Sequence, residues 1–181
     1  SFVVPSYRVY KQTGINPVTF GKSDNAHDYI GRLMKIVTGL LIAVVLFFSF
    51  SGEAYQYTVP VWYLQKTWIQ LMGLVLIHLS MLWIIVAQYQ MRTAWRIGID
   101  ENNKTELVTG GVFRLSRNPI FLGMLTSVAG IFLVLPNAVT LLVMVVSFIL
   151  IQVQIRLEEV FLTKEHGTAY INYRSKVRRL V

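Results

Sequence analysis

Apolar residues gather into four runs along the chain, at 33–51, 68–90, 120–135 and 138–155, with polar residues between them. At about 1.5 Å of rise per residue, the first two nearly reach or cross a hydrocarbon core of roughly 30 Å and predict membrane-spanning helices. The third run would make a helix of only about 24 Å. Pro136-Asn137 separates it from the fourth, which predicts a tight helical hairpin. Both ends of that hairpin therefore return to one side of the membrane.

The segments between the runs are polar in different ways. Residues 1–31 are mixed, with turn chemistry at Gly14-Ile15-Asn16-Pro17 and an expected N-cap at Asp24 or Asn25. They read as a segment lying on the bilayer, with substrate contact by Asn16, His27 or Asp28 as the alternative. The tyrosines of residues 52–67, with Trp62 and Trp68, suit an interfacial aromatic belt. His78 falls in mid-span, where an imidazole facing lipid is costly, and is expected to face a neighbouring helix or a cavity, in a helix–helix hydrogen bond rather than catalysis. Residues 91–119 form a charged inner loop. Residues 156–181 alternate Phe161, Leu162, Tyr170 and Tyr173 with charges, as in a helix lying on an anionic leaflet. The expected fold is one all-α integral-membrane domain of four spans plus an amphipathic C-terminal helix, with both termini inside.

Composition supports the membrane class. The chain is 54% hydrophobic and 14% charged, and its mean hydropathy is +0.53, too apolar for an ordinary soluble domain. It opens on Ser1 rather than Met, so an earlier span remains open, and Phe2-Val3-Val4-Pro5 is too short for a signal peptide. The net charge of +8 suggests nucleic acid until its distribution is read. Of 17 lysines and arginines only Lys66 falls in the expected outer loop, which is the positive-inside pattern and needs no nucleic-acid partner. With no cysteine, thiolate chemistry and disulfides are excluded. His27, His78 and His166 lack ligand spacing, so no catalytic metal is expected.

The chemistry concentrates at 106–123 and at 154–159, which the hairpin brings together. Gly110 and Gly111 permit close backbone approach or positive φ. Arg114 and Arg117 supply fixed positive charge, and Arg117 forks well onto a carboxylate. Asn118 both donates and accepts. Pro119 suits the first position of the third helix, whose free N–H groups favour an anion. Glu158 and Glu159 supply acceptors for an ammonium or a ribose. Helical spacing pairs Gln154 with Glu158 and Arg156 with Glu159. Together these groups suit a zwitterionic ligand; the plainer alternative is arginines anchored to lipid phosphate and neutralised by the glutamates.

The run Leu107-Val-Thr-Gly-Gly-Val-Phe-Arg-Leu-Ser-Arg117-Asn118-Pro119-Ile-Phe121-Leu-Gly123, followed by Arg156-Leu-Glu158-Glu159 and by His166-Gly167-x-x-Tyr170-x-x-Tyr173, resembles the isoprenylcysteine carboxyl methyltransferase family. That superfamily includes phospholipid N-methyltransferases. The resemblance covers about residues 92–179 and rests on the order and spacing of the pieces. It implies S-adenosylmethionine at the inner face and methyl transfer to a small lipophilic or lipid-attached acceptor among membrane lipids. The cofactor-binding residues it implies are Gly110, Gly111, Val112, Phe113, Arg117, Asn118, Pro119, Phe121, Leu122 and Glu159. Glu158, Arg156 and Gln154 are the catalytic candidates. Two departures bear on the acceptor. Asn118 stands where the eukaryotic enzymes have His, as in the bacterial branch, which implies a bacterial or archaeal cytoplasmic membrane. Gln154 stands one turn before Glu158, where the prenylcysteine enzymes have Arg. Carboxylate, amine and thiol acceptors all stay open. The alternatives to a methyl transferase of this kind are a phospholipid or amine N-methyltransferase of the same fold, a non-enzymatic lipid-binding scaffold, and a relative of the sterol reductases. The last lacks a G-x-G-x-x-G. Tyr89, Trp95 and Phe121 are candidates for a lipid entrance.

Overall fold

The computed structural model describes residues 3–14, 26–95 and 106–181. The expected turn at Asn16-Pro17 and the expected cap at Asp24 or Asn25 lie outside them. Within them the protein is all-α, with no strand. The helices are α1 (Val3–Thr13), α2 (Ala26–Phe50), a single turn α3 (Gly52–Gln56), α4 (Thr67–Met91), α5 (Pro119–Val134), α6 (Ala138–His166) and α7 (Thr168–Lys176). Among the described residues α2, α4 and α6 are long and apolar enough to cross a membrane, and α5 is a shorter apolar helix of 16 residues. The protein is an integral membrane protein.

The hairpin turn explains itself chemically. Asn137 is fully buried and caps α6: its Oδ1 accepts from Thr140 N at 2.9 Å, while Thr140 Oγ1 accepts from Asn137 N at 3.3 Å. The outer loop locks onto this turn, as Val61 N donates to Pro136 O at 2.8 Å and Ala138 N to Thr58 O at 3.1 Å. Exposed Tyr57, Trp62, Tyr63 and Trp68 surround it. We expect Asn137→Ala to lower unfolding free energy by about 1–2 kcal/mol, the cost of a lost N-cap. A thermal-denaturation series in detergent checks this.

The tightest pairing is α4 on α5. A Cβ added at Gly73 would lie 2.6 Å from Gly130 O, and one at Gly130 would lie 2.8 Å from Gly73 O. The two backbones therefore touch, as small residues allow between membrane helices. Ser80 Oγ and Ser127 Oγ share a hydrogen bond at 2.6 Å, and Trp83 Nε1 donates to Pro119 O at 2.9 Å. Gly130→Leu should separate the pair, with an overpacking cost of about 1–3 kcal/mol or more. A stability unchanged in detergent denaturation would contradict the close crossing.

α2 makes its main contacts with α6, through Ile30 and Val37 against Val143 and Leu150. Its remaining surface, like the outer face of α4, exposes large apolar residues such as Phe47, Leu71, Leu79 and Leu82. On a membrane protein these faces meet lipid.

Two expectations need correction. His78 does not reach another helix: it is exposed and its Nδ1 bonds Leu74 O at 2.7 Å within α4. The preceding turn of its own helix satisfies one of its polar atoms without a neighbour. The first apolar run belongs to a helix that does not stop at 33: α2 extends back to Ala26 and buries His27 and Asp28 in its first turn. The C-terminal segment does not start a new helix at 156. α6 continues to His166 because no glycine or proline interrupts it before Gly167, whose φ of +54 breaks it. Tyr170 and Tyr173 of α7 are then buried against the protein instead of lying on lipid.

Candidate active site

The loop before α5 passes over the end of α4. Gly111 has φ +59, and a Cβ there would collide with the Gln90 carboxamide, whose Oε1 accepts from Val112 N at 2.9 Å. Glycine is required at 111 on both counts. Gly110 has φ −93 and open space around its Cβ position, so only one of the two glycines is sterically required. The short 3-10 turn Gly111–Arg114 buries Phe113, and the Phe113 carbonyl accepts from Tyr173 Oη at 2.6 Å. Pro119 takes the first position of α5 as expected, with Asn118 before it, and no side chain caps that helix start.

The C-terminal residues return to this loop as an extended strap. Arg117 N donates to Arg178 O at 3.0 Å, and Asn118 Nδ2 to Arg179 O at 2.9 Å. Beneath them lies a buried charge cluster. Arg117 Nη2 meets Glu159 Oε1 at 2.7 Å, and Arg179 Nη2 meets Glu159 Oε2 at 2.7 Å. Arg117 Nη1 also donates to Arg174 O at 3.1 Å. Two guanidiniums on one carboxylate leave a net positive charge. Arg117 Nε is buried without a partner. The Glu159 hydrogen bond raises the pKa of Arg179, and burial pushes the Tyr170 and Tyr173 hydroxyls up to about 12, so both stay protonated.

On the other side, Gln154 Nε2 donates to Glu158 Oε1 at 3.0 Å. Gln154 is itself buried and meets His27 Nδ1 of α2, with Nε2 at 2.8 Å and Oε1 at 3.1 Å. Both sides face a cavity of about 680 Å³, within the usual range of small-molecule sites, about 300–1,000 Å³. Arg117, Asn118, Pro119 and Phe121 line it from the loop and α5, Gln154 and Glu158 from α6, and Tyr170 and Tyr173 from α7. The wall formed by α2 runs from Ile30 to Ile42, a length of about 18 Å. The cavity thus extends from the polar cluster into the membrane-spanning part of the fold.

The residues singled out from sequence divide accordingly. Phe113, Arg117, Asn118, Pro119, Phe121, Gln154 and Glu158 line the cavity. Gly110, Gly111, Val112 and Leu122 do not; Gly111 and Val112 shape the loop from behind. Glu159 also stands behind the wall, holding Arg117. Arg156 is exposed and bonds Gln152 O at 2.6 Å and Gln152 Oε1 at 3.0 Å on its own helix. The expected Arg156–Glu159 pair is therefore replaced by Arg117–Glu159–Arg179, because the loop and tail bring two arginines to the buried face while Arg156 points off it. Of the entrance candidates, Tyr89 is exposed away from the cavity, whereas Trp95 and Phe121 line it. Reading the sequence missed the His27–Gln154 bond and the α2 wall. The only signal for either was a histidine and an aspartate opening a helix that turns apolar after Lys35. Among the described residues no group of three or more His, Asp or Glu is placed to hold a metal ion.

Searches of curated proteins and of solved structures return no match. The family model described as phospholipid methyltransferase matches residues 68–169, which includes the loop, the hairpin and the paired glutamates. The match extends the sequence resemblance back across α4. The chain belongs to the phospholipid methyltransferase family and is a membrane methyltransferase for lipid-like substrates.

Proposed function

We propose that the cavity binds S-adenosylmethionine and that the protein transfers its methyl group to a lipophilic acceptor arriving from the bilayer. The observation that carries this reading is Arg117: a cavity-lining guanidinium held by Glu159, beside the uncapped start of α5. The donor set suits the carboxylate of an amino-acid-like cofactor. Phe113, Trp95 and Phe121 offer apolar faces for its adenine. When bound, the cofactor supplies a methyl group on a positively charged sulfur. Transfer from such a centre depends on alignment more than on acid–base power.

The chain's own residues supply that alignment. Glu159 holds Arg117 in place. Glu158 accepts from Gln154 and has further lone pairs for an N–H or O–H of the acceptor. Its hydrogen-bond partner is neutral, where a carboxylate acceptor would need a cation. This favours an amine or hydroxyl acceptor over a carboxylate. The long apolar wall of α2 accommodates the acceptor's hydrocarbon.

Calorimetry on detergent-solubilised protein tests the reading: S-adenosylmethionine should bind, NADPH should not, and Arg117→Met should weaken the former by tenfold or more, about 1.4 kcal/mol. Absence of heat with S-adenosylmethionine would reject it. Incubating membranes with methyl-labelled cofactor should then place the label in an extractable lipid fraction.

The same reading puts the cavity on the cytoplasmic side, on the support of the arginine and lysine distribution. The absence of cysteine makes this easy to examine. In intact cells an impermeant maleimide should label Glu53→Cys, at the opposite end of the bundle, and spare Ser175→Cys. The reverse pattern would invert the topology.

A further inference from the structure

We infer that His27 is a positioning residue for Glu158, acting through Gln154; the inference rests on the reading of Glu158 as the acceptor-facing carboxylate. His27 and Gln154 are 127 residues apart in the chain and both buried, at 6% and 3% exposure. They meet across the α2–α6 seam at the level of the cavity.

The terminal torsion of a glutamine is broad and two-fold, so one hydrogen bond does not hold its amide. Flipped, the amide of Gln154 would set its oxygen against the Glu158 carboxylate and repel it. His27 removes that freedom. With Nδ1 unprotonated, it accepts the second hydrogen of Gln154 Nε2 at 2.8 Å. In that tautomer a flipped amide would turn its oxygen onto the Nδ1 lone pair. Nε2 therefore stays directed at Glu158 Oε1. Asp28, also buried, is the charged neighbour on α2, and Glu158 is the charged group reached through Gln154. His27 is absent from the cavity lining, so it reaches the site through the carboxamide.

Two variants separate this role from simple packing. Asparagine at 27 keeps a polar atom where Nδ1 stands, and leucine removes it. In nanodiscs of phosphatidylethanolamine and phosphatidylglycerol with methyl-labelled S-adenosylmethionine, His27→Leu should lower kcat about tenfold with KM and cofactor affinity unchanged. His27→Asn should recover most of the loss. In a Glu158→Gln background His27→Leu should cost nothing further, because the two residues act as one unit. Equal losses for Asn and Leu, or additive losses in the double variant, would overturn the inference. A second readout needs no activity. The chain has three histidines, so 15N-histidine spectra resolve them individually, and Gln154→Leu or Glu158→Gln should shift the His27 Nδ1 signal and leave His78 and His166 in place. An unmoved His27 signal would sink the positioning role even in a protein that binds S-adenosylmethionine. Failure of S-adenosylmethionine to bind wild-type protein would instead sink the methyltransferase site itself.

Discussion

Replacing Glu159 by alanine is expected to destabilise the protein by about 3–5 kcal/mol, the cost of stranding a buried charge. The side chains of Arg117 and Glu159 are 7% and 5% exposed, so the guanidinium has little water to turn to. Its remaining bond is the Arg174 carbonyl. The same change frees Arg179, whose pairing with Glu159 helps hold the C-terminal strap against residues 116–118. Chemical denaturation in detergent should therefore show a lower midpoint. Arg156→Ala is the matched control. That residue is exposed and bonded only within its own helix, so its loss should stay within about 0.5 kcal/mol. The double variant Arg117→Met with Glu159→Leu should regain much of the stability, as apolar replacements of buried pairs often do. It should not regain binding of S-adenosylmethionine. Equal effects of Glu159→Ala and Arg156→Ala would show that the cluster contributes no more than a surface pair.

Glu158→Gln should separate binding from turnover. The substitution keeps size and hydrogen bonding but removes the charge that faces the acceptor. Methyl transfer should fall by roughly 10²–10⁴-fold, the range over which a positioned acid–base group contributes. Cofactor affinity measured by calorimetry should stay within about twofold. A parallel collapse of cofactor binding would reassign Glu158 from the acceptor to the cofactor. Retained turnover would leave alignment by Arg117 and the cavity walls as the whole of catalysis.

Much of this arrangement is legible in the linear chain. The four apolar runs mark α2, α4, α5 and α6, because a helix buried in lipid cannot hide polar residues along its length. Pro136-Asn137 marks the hairpin, since proline ends one helix and asparagine caps the next. Pro119 marks the start of α5, since its fixed φ suits a first helical position and its missing N–H costs nothing there. Gln154 and Glu158 are one turn apart on one face, and they do bond. Each of these readings uses residues within a few positions of one another.

What the sequence by itself determined is therefore the four apolar helices, their membrane character, and the polar segments that converge on one end. The tertiary structure alone decided which partner each polar group takes. Spacing placed Arg156 three residues from Glu159, yet Glu159 pairs with Arg117 from the loop and Arg179 from the tail. His78 turned to its own helix, and His27 reached Gln154 on another. The physical reason is that sequence spacing fixes directions only within one helix. Partners across helices depend on how closely backbones cross, as at Gly73 and Gly130, and on where a helix such as α6 finally ends.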